Sequence, residues 1–343
     1  MRYLVLAAIG ALASILANRG IAVFNDGFRP IVPQFYDGQI SRKELATMSF
    51  AISFGLVIGF AIPTSIAASI ILIHCILLTT DIIGTFCPDS LVGTVIAGVV
   101  GAAYGVAILL GLESIVNLFG SLPFNFLANL GSVSSFVTAT FPIFPSVAVG
   151  YQHGFKKGAI AGVITLVVYL LTVKFGKFAL GDAKVALNGF GMAMLAGMLC
   201  LLAFATRVKG TGDANSSLVT TFGDKVKRIR SNWWLLAIMG GLVAMATSLG
   251  IVAGDPISLG LVSEGSWAEA AMVALARAIG FIPLVFTTAI VTGVYGPAGS
   301  TFVFVVGLLL HGNPFVAVVV GAVVMVVELA LINVFAKGMD KFP

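Results

Sequence analysis

The sequence predicts an all-α, polytopic integral membrane protein. It is organised as two helical repeats of inverted topology, with broken or re-entrant helices. Three observations predict this. The 343 residues are 59% hydrophobic and only 10% charged, with a mean hydropathy of +1.09, whereas a soluble domain carries about 25% charged residues. The stretch TTDIIGTFCPDS (79–90) returns in altered form as TTAIVTGVYGPAGS (287–300). The basic residues follow matching helices at opposite ends, which is the mark of an inverted copy.

A membrane span needs about 20 apolar residues. The first covers 3–24 and is interrupted at Asn18-Arg19-Gly20; because the apolar pattern resumes afterwards, it is a retained helix and not a signal peptide. A polar loop, 37–44, carries Arg42 and Lys43. The run 46–80 is too long for one simple span, and Pro63-Thr64-Ser65 is its expected division. Span 91–111 is rich in glycine, which allows close helix contact. Segment 114–130 is amphipathic. Segment 131–150 holds two prolines and the hydroxyls Ser132, Ser134, Ser135, Thr138 and Thr140, as a crossing, a re-entrant hairpin or a pore lining would. Spans 158–173 and 186–206 follow. The one long hydrophilic segment, 207–231, contains Arg207, Lys209, Lys225, Lys227, Arg228 and Arg230 and is expected to be cytoplasmic, with Trp233-Trp234 as interfacial anchors. Spans 234–253, 268–292, 299–311 and 315–335 complete the chain. The three cysteines, Cys75, Cys87 and Cys200, have no CxxC spacing and read as small buried hydrophobes.

The organisation read from this is a first repeat over 1–206, a basic cytoplasmic linker over 207–231 and a second repeat over 232–343. The repeats begin alike: Gly20-Ile21 and Gly250-Ile251 each close an apolar helix shortly before an aspartate, and Glu44 and Glu269 open the next helices. Glu113 with Asn117 is matched to Glu328 with Asn333. The second repeat stops much sooner after its motif than the first, so the chain is expected to be truncated at its C-terminus.

The stretches NRGIAVFNDGFRPIVPQF, DGQISRKELATMSFAISFGLVIGF, LLTTDIIGTFCPDS and FPSVAVGYQHGFKKG resemble the YhfT family of bacterial inner-membrane proteins, densely from about residue 18 to 157 and more loosely beyond. The resemblance implies a multi-pass protein of the inner membrane, of the transport class in broad terms. It supplies no solute and no established ligand residues, and it implies that relatives continue past the point where this chain ends.

Candidate site residues come from two sources. The repeated motif offers Thr79, Thr80, Gly84, Pro88 and Ser90, matched to Thr287, Thr288, Gly293, Pro297 and Ser300, because paired breaks in two halves point to a transporter's substrate site. Ionisable groups at membrane depth offer the rest. Arg19, Asn25, Asp26 and Arg29 form a cluster whose arginines suit a carboxylate or phosphate; the plainer alternative is a structural Arg19–Asp26 pair or a snorkelling arginine. Asp81, His74, Glu113, His311 and Glu328 are ion-coupling candidates, each with a structural alternative, such as a turn cap for Asp81 or a satisfied core position for either histidine. Glu269 and Arg277 share a helix face, as structure or as site. The expected function is a secondary active transporter of a small polar, anionic solute, coupled to H⁺ or Na⁺. A phosphotransferase-type permease and a membrane enzyme or lipid-binding scaffold are the alternatives. Neither GxxxxGK[ST], HExxH nor CxxC is present, so an ATP-driven pump or zinc protease is not expected. No cofactor, metal or nucleic acid is expected; the partners are membrane lipids, the solute and, as an assembly the reading allows, a second copy in a homodimer.

Overall fold

The computed structural model describes residues 1–122, 139–180, 183–205 and 216–339. Among these, five helices are long and apolar enough to cross a membrane, and a sixth span results if one helix pair bent by 60° is taken together. The chain is an all-α polytopic membrane protein. Its first half contains α1 (Arg2–Asn18), α2 (Val32–Tyr36), α3 (Arg42–Ala68), β1 (Ile71–Leu72), α4 (Ile73–Phe86) and α5 (Leu91–Gly120). Then come α6 (Phe144–His153), α7 (Phe155–Phe175), the antiparallel pair β2 (Lys177–Leu180) and β3 (Ala183–Ala186), α8 (Gly189–Ala205) and α9 (Ser216–Ser231). The second half contains α10 (Trp233–Ser248), β4 (Val252–Ala253), α11 (Pro256–Ser263), α12 (Trp267–Thr292), α13 (Phe302–Leu309) and α14 (Pro314–Met339).

Local chemistry sets the same breaks in both halves. Gly20 (φ 56°) and Gly250 (φ 68°) terminate α1 and α10 in the left-handed region, each letting the next amide reach back, Ile21 N–H to Leu16 O at 2.9 Å and Ile251 N–H to Ala246 O at 3.2 Å. Ser41 opens α3 through a reciprocal capping box with Glu44. Ser69 (φ 56°) and Gly293 (φ 70°) close α3 and α12. Helix α3 has 27 residues and α12 has 26; the π turn Val57–Ala61, just ahead of Pro63, accommodates the additional residue. Past these breaks the halves run at one constant spacing. Ser69 falls on Gly293, Ser90 at the start of α5 on Pro314 at the start of α14, and Tyr104 on Glu328.

Packing follows the same plan. Helices α1 and α5 run antiparallel with Gly10 against Gly101 and Leu6 against Gly105, while Thr94 donates to Asn18 Oδ1 at 2.7 Å. In the second half Gly240 lies against Gly321 and Met325, and Gly241 against Val318, in the α10–α14 pair. The halves are upside down relative to each other. Arg228, just before α10 begins, donates to Arg19 O (3.3 Å) and Gly20 O (3.2 Å), so the start of α10 lies at the end of α1. The same guanidinium sits 4.5 Å from the Tyr36 ring centroid, and burial raises the Tyr36 phenol above its ordinary value. Arg42 gathers the carbonyls of Asn18, Gly84 and Cys87 at the C-terminal ends of α1 and α4, where the helix dipoles favour a cation.

Several sequence expectations need correction. The run 46–80 divides at 69–72, because the π turn lets Pro63 remain inside α3. The stretches 79–90 and 287–300 are not counterparts. The first is the end of α4 and the turn into α5; the second is the end of α12 and the break before α13. By spacing, 287–300 falls on 63–76. Glu113 and Glu328 likewise do not match, since Glu113 lies a further two turns along its helix than the counterpart of Glu328. The helical correspondence joins 2–120 with 233–339, and α6, α7 and α8 stand outside it, packed on one another and on α12. Ser132, Ser134, Ser135 and Thr138 lie outside the described residues.

Candidate site at the crossing of the two breaks

The chain leaves α1 at Gly20 and turns back as an extended segment. Ala22 forms a parallel bridge with Tyr295, in the break of the other half. The mirror arrangement is β1 with β4, in which Ile71 pairs with Val252. The two bridges are equivalent: Tyr295 N–H donates to Ile21 O at 3.0 Å, and Ile71 N–H donates to Ile251 O at 3.1 Å. Each half thus lends the segment after its first helix to the break of the other. Backbone outside helices is tolerated at membrane depth only where protein or a watery cavity surrounds it, and residues 21–23, 71–72, 251–258 and 292–300 are all buried. The half-helices that start from the breaks are short. With 14 residues in α4 and 8 in α13, they span about 21 Å and about 12 Å, less than a bilayer core of about 30 Å.

A carboxylate holds each break. Asp81, 2% exposed, accepts from Phe24 N–H (3.0 Å) and Asn25 N–H (2.9 Å). Glu328, 3% exposed, accepts from Tyr295 O–H (2.8 Å) and Ser300 N–H (2.6 Å), and its second oxygen has no partner among the described residues. In the first half the place of Glu328 is taken by Tyr104, whose hydroxyl donates to Cys75 O at 2.7 Å. The extended segments are also braced alike: Asn25 donates to Ser53 of α3 at 2.9 Å, and Asp255 faces Arg277 of α12 at 3.7 Å.

Around this crossing lies a cavity of about 260 Å³ lined by residues of both halves, among them Asn25, Arg29, His74, Arg277, Thr301 and Phe304. At about 30 Å³ per water, this suits a solute of the order of ten non-hydrogen atoms. Two guanidinium groups dominate its chemistry. Arg29, 2% exposed, donates from Nε and Nη2 to Val23 O and pairs with Asp26 at 2.7 Å, leaving Nη1 without a partner among the described residues. Arg277, 5% exposed, donates from Nη1 to Gly254 O and lies over the Phe304 ring, leaving Nε and Nη2 unpartnered among the described residues. Gly254 leaves room for both side chains, since a Cβ there would come within 2.5 Å of Arg277 Nη2 and 2.8 Å of Phe304 and would displace them. Buried donors without acceptors are costly, and guanidinium donors favour carboxylate or phosphate oxygens.

Of the residues singled out from the sequence, Asn25, Asp26, Arg29 and His74 line this cavity. The His74 ring stands edge-on to Phe24 and Phe60, with Nδ1 unpartnered among the described residues. Asp81, Glu328 and Ser300 hold the breaks beside it. Pro297 and Gly293 shape the second break, Gly293 as the left-handed cap of α12. The others sit elsewhere. Arg19 is exposed at the end of α1. Thr79, Thr80 and Thr288 donate to Cys75 O, Leu77 O and Leu284 O within their own helices, and Thr287 is exposed. Gly84 lets α4 lie on α1, Pro88 O accepts from Asn18, and Ser90 caps α5. Glu113 accepts from the Tyr3 hydroxyl far along α5. His311 stacks on Trp267, with ring centroids 3.5 Å apart, after α13. Glu269 takes Asn188 at 3.0 Å instead of Arg277. Arg277, weighed from the sequence with Glu269 as structure or as site, also lines the cavity, as do Gly254, Thr301 and Phe304, which the sequence did not single out. The matched segments GIAVFN and GIVAGD, both ending in a side chain that reaches the next long helix, were the available signal.

This fold and site define an integral membrane protein of two inverted helical repeats, crossed at mid-chain breaks around a cationic cavity. The chain belongs to the YhfT family, whose model, described as a protein of unknown function, matches residues 2–343. It is 34% identical over 359 aligned residues to "Uncharacterized protein YhfT" of Escherichia coli (strain K12), covering 100% of this chain and 80% of that relative. No solved structure matches it.

Proposed function

We propose that the protein is a secondary active transporter of a small organic anion, working by alternating access between the two halves and coupled to a cation, H⁺ or Na⁺. The observation that carries this reading is the pair of buried arginines, Arg29 and Arg277, with unpartnered N–H groups in one cavity formed by both halves. Inverted repeats meeting at unwound segments are the architecture in which carriers bind solute. Asp81 and Glu328 are the coupling candidates, because each holds one of the crossing segments and a change in its charge would alter that hold. The basic residues Arg19, Arg42, Arg228 and Arg230 collect at one end, which by the positive-inside rule is the cytoplasmic face of a bacterial inner membrane.

The test is a panel of mono- and dicarboxylates and phosphate esters, read by thermal unfolding of the purified full chain and by gradient-dependent uptake into proteoliposomes. At a hundredfold excess over Kd a ligand stabilises by about 2.7 kcal/mol, which is expected to raise Tm by several degrees. Arg29→Gln and Arg277→Gln should weaken binding roughly 10- to 150-fold, the equivalent of about 1.5–3 kcal/mol for a hydrogen bond to a charged group. No anion-dependent shift and no uptake across the panel would overturn the reading.

A further inference from the structure

A second cavity, of about 550 Å³, opens between α9 and α14, away from the crossing. Its walls divide by chemistry. Lys227 and Arg230 of α9 form one side; both are exposed and neither has a hydrogen bond or ion pair among the described residues. Val326, Leu329 and Ala330 of α14 form an apolar floor, with Asn333 further along the same helix, and Trp233 stands at the rim, 52% exposed. Helix α9 bends by 60° into α10, so when α10 enters the bilayer α9 lies across the membrane surface. Its inner face buries Val226 and Ile229, its outer face is basic, and Trp233-Trp234 mark the interfacial level.

We infer that this groove binds an anionic phospholipid, with the headgroup phosphate between Lys227 and Arg230 and an acyl chain on the Val326–Leu329–Ala330 surface. Charge and depth select this occupant. A zwitterionic lipid offers the cations no net charge, a free anion does not use the apolar floor, and a basic groove at the cytoplasmic end faces the leaflet region where anionic headgroups gather. The bound lipid has a mechanical consequence. Helix α9 touches both halves, through Lys225 Nζ to Val291 O at 2.6 Å in α12 and through Arg228 to Arg19 O and Gly20 O after α1. A lipid that fastens α9 to α14 therefore strengthens a strap across the two halves at this end. The binding site itself stands whether or not the protein transports.

The experiment titrates the detergent-solubilised full chain with phosphatidylglycerol, phosphatidylcholine or inorganic phosphate, reading Tm and, by native mass spectrometry, retained lipid. Phosphatidylglycerol is expected to raise Tm and to stay bound, and the other two to do neither. With about 1 kcal/mol per basic residue for anionic lipid, K227Q/R230Q should bind phosphatidylglycerol about thirtyfold more weakly, with its Tm in phosphatidylcholine unchanged. K156Q/K157Q, which removes exposed charges elsewhere, should bind as the wild type does. The inference is overturned if K227Q/R230Q keeps the wild-type affinity, if K156Q/K157Q loses as much, or if phosphatidylcholine or inorganic phosphate stabilises equally.

Discussion

Asp81→Ala is expected to lower the stability of the protein by about 2–6 kcal/mol, because it strips the acceptor from two backbone donors in one step. Phe24 and Asn25 N–H point at this carboxylate, and a buried donor left without a partner costs about 1–3 kcal/mol. Among the described residues no other acceptor is arranged for them, since the segment is extended and its bridge to Tyr295 is made just before them, at Ala22 and Val23. Asp81→Asn retains one oxygen and the shape of the side chain, so it should fold and melt between the wild type and the alanine variant. Thermal unfolding in detergent gives the ranking. Hydrogen exchange gives the place, with protection lost first at Phe24 and Asn25. An alanine variant that melts with the wild type would show that the segment is held by something other than Asp81. Such a result would also remove Asp81 from the coupling scheme, which requires that its charge matter to the crossing.

What the sequence disclosed and what it hid have physical explanations. Membrane character was legible from composition alone, because apolar residues exceed anything a water-facing surface tolerates. The inverted repeat was legible from Gly20-Ile21 and Gly250-Ile251 and from charge placement, since a left-handed helix stop favours glycine and basic loops respect membrane sidedness. The alignment of the breaks was not. Thr79-Thr80 resembles Thr287-Thr288 because hydroxyls that donate back within an apolar helix recur wherever such helices occur. The true counterpart of Gly293 is Ser69, a serine in the left-handed region, which no composition rule favours. The site was half visible. Arg29 stood out as a charge beside a helix stop, whereas Arg277 lies mid-helix with Glu269 two turns away, a pair that reads as structure or as site. Only the fold turns it inward to Gly254 and Asp255. Glu328 reads from the sequence as an ion-coupling candidate beside Asn333, because its actual partners, Tyr295 and Ser300, come from a break that sequence alone does not bring to α14.

The largest effect on folding is expected where the helices of the first half lie closest together. Gly101→Leu is expected to abolish the folded protein. In the α1–α5 pair a Cβ at Gly101 would fall on Gly10 O and Ser14 Oγ, and a Cβ at Gly10 would fall on Gly101 O. The obstacle is backbone, so no rotamer change relieves it, and the helices must separate. Small residues at such seams are what allow membrane helices to associate without a hydrophobic driving force. Separation would also pull Asn18 from Thr94 and from the carbonyls of Gly84, Cys87 and Pro88, which fix where the first half turns back toward Tyr295. Overpacking alone costs about 1–3 kcal/mol, and the loss of this network adds to it. Gly111 is the internal control. It lies on the same helix, but a Cβ there meets nothing within 4 Å. Gly111→Ala should therefore stabilise by up to about 1 kcal/mol through helix propensity, the opposite sign from the same kind of change ten residues earlier. Size-exclusion profiles and Tm of the two variants decide the matter: a monodisperse, wild-type-like Gly101→Leu protein would mean that α1 and α5 do not meet at this seam.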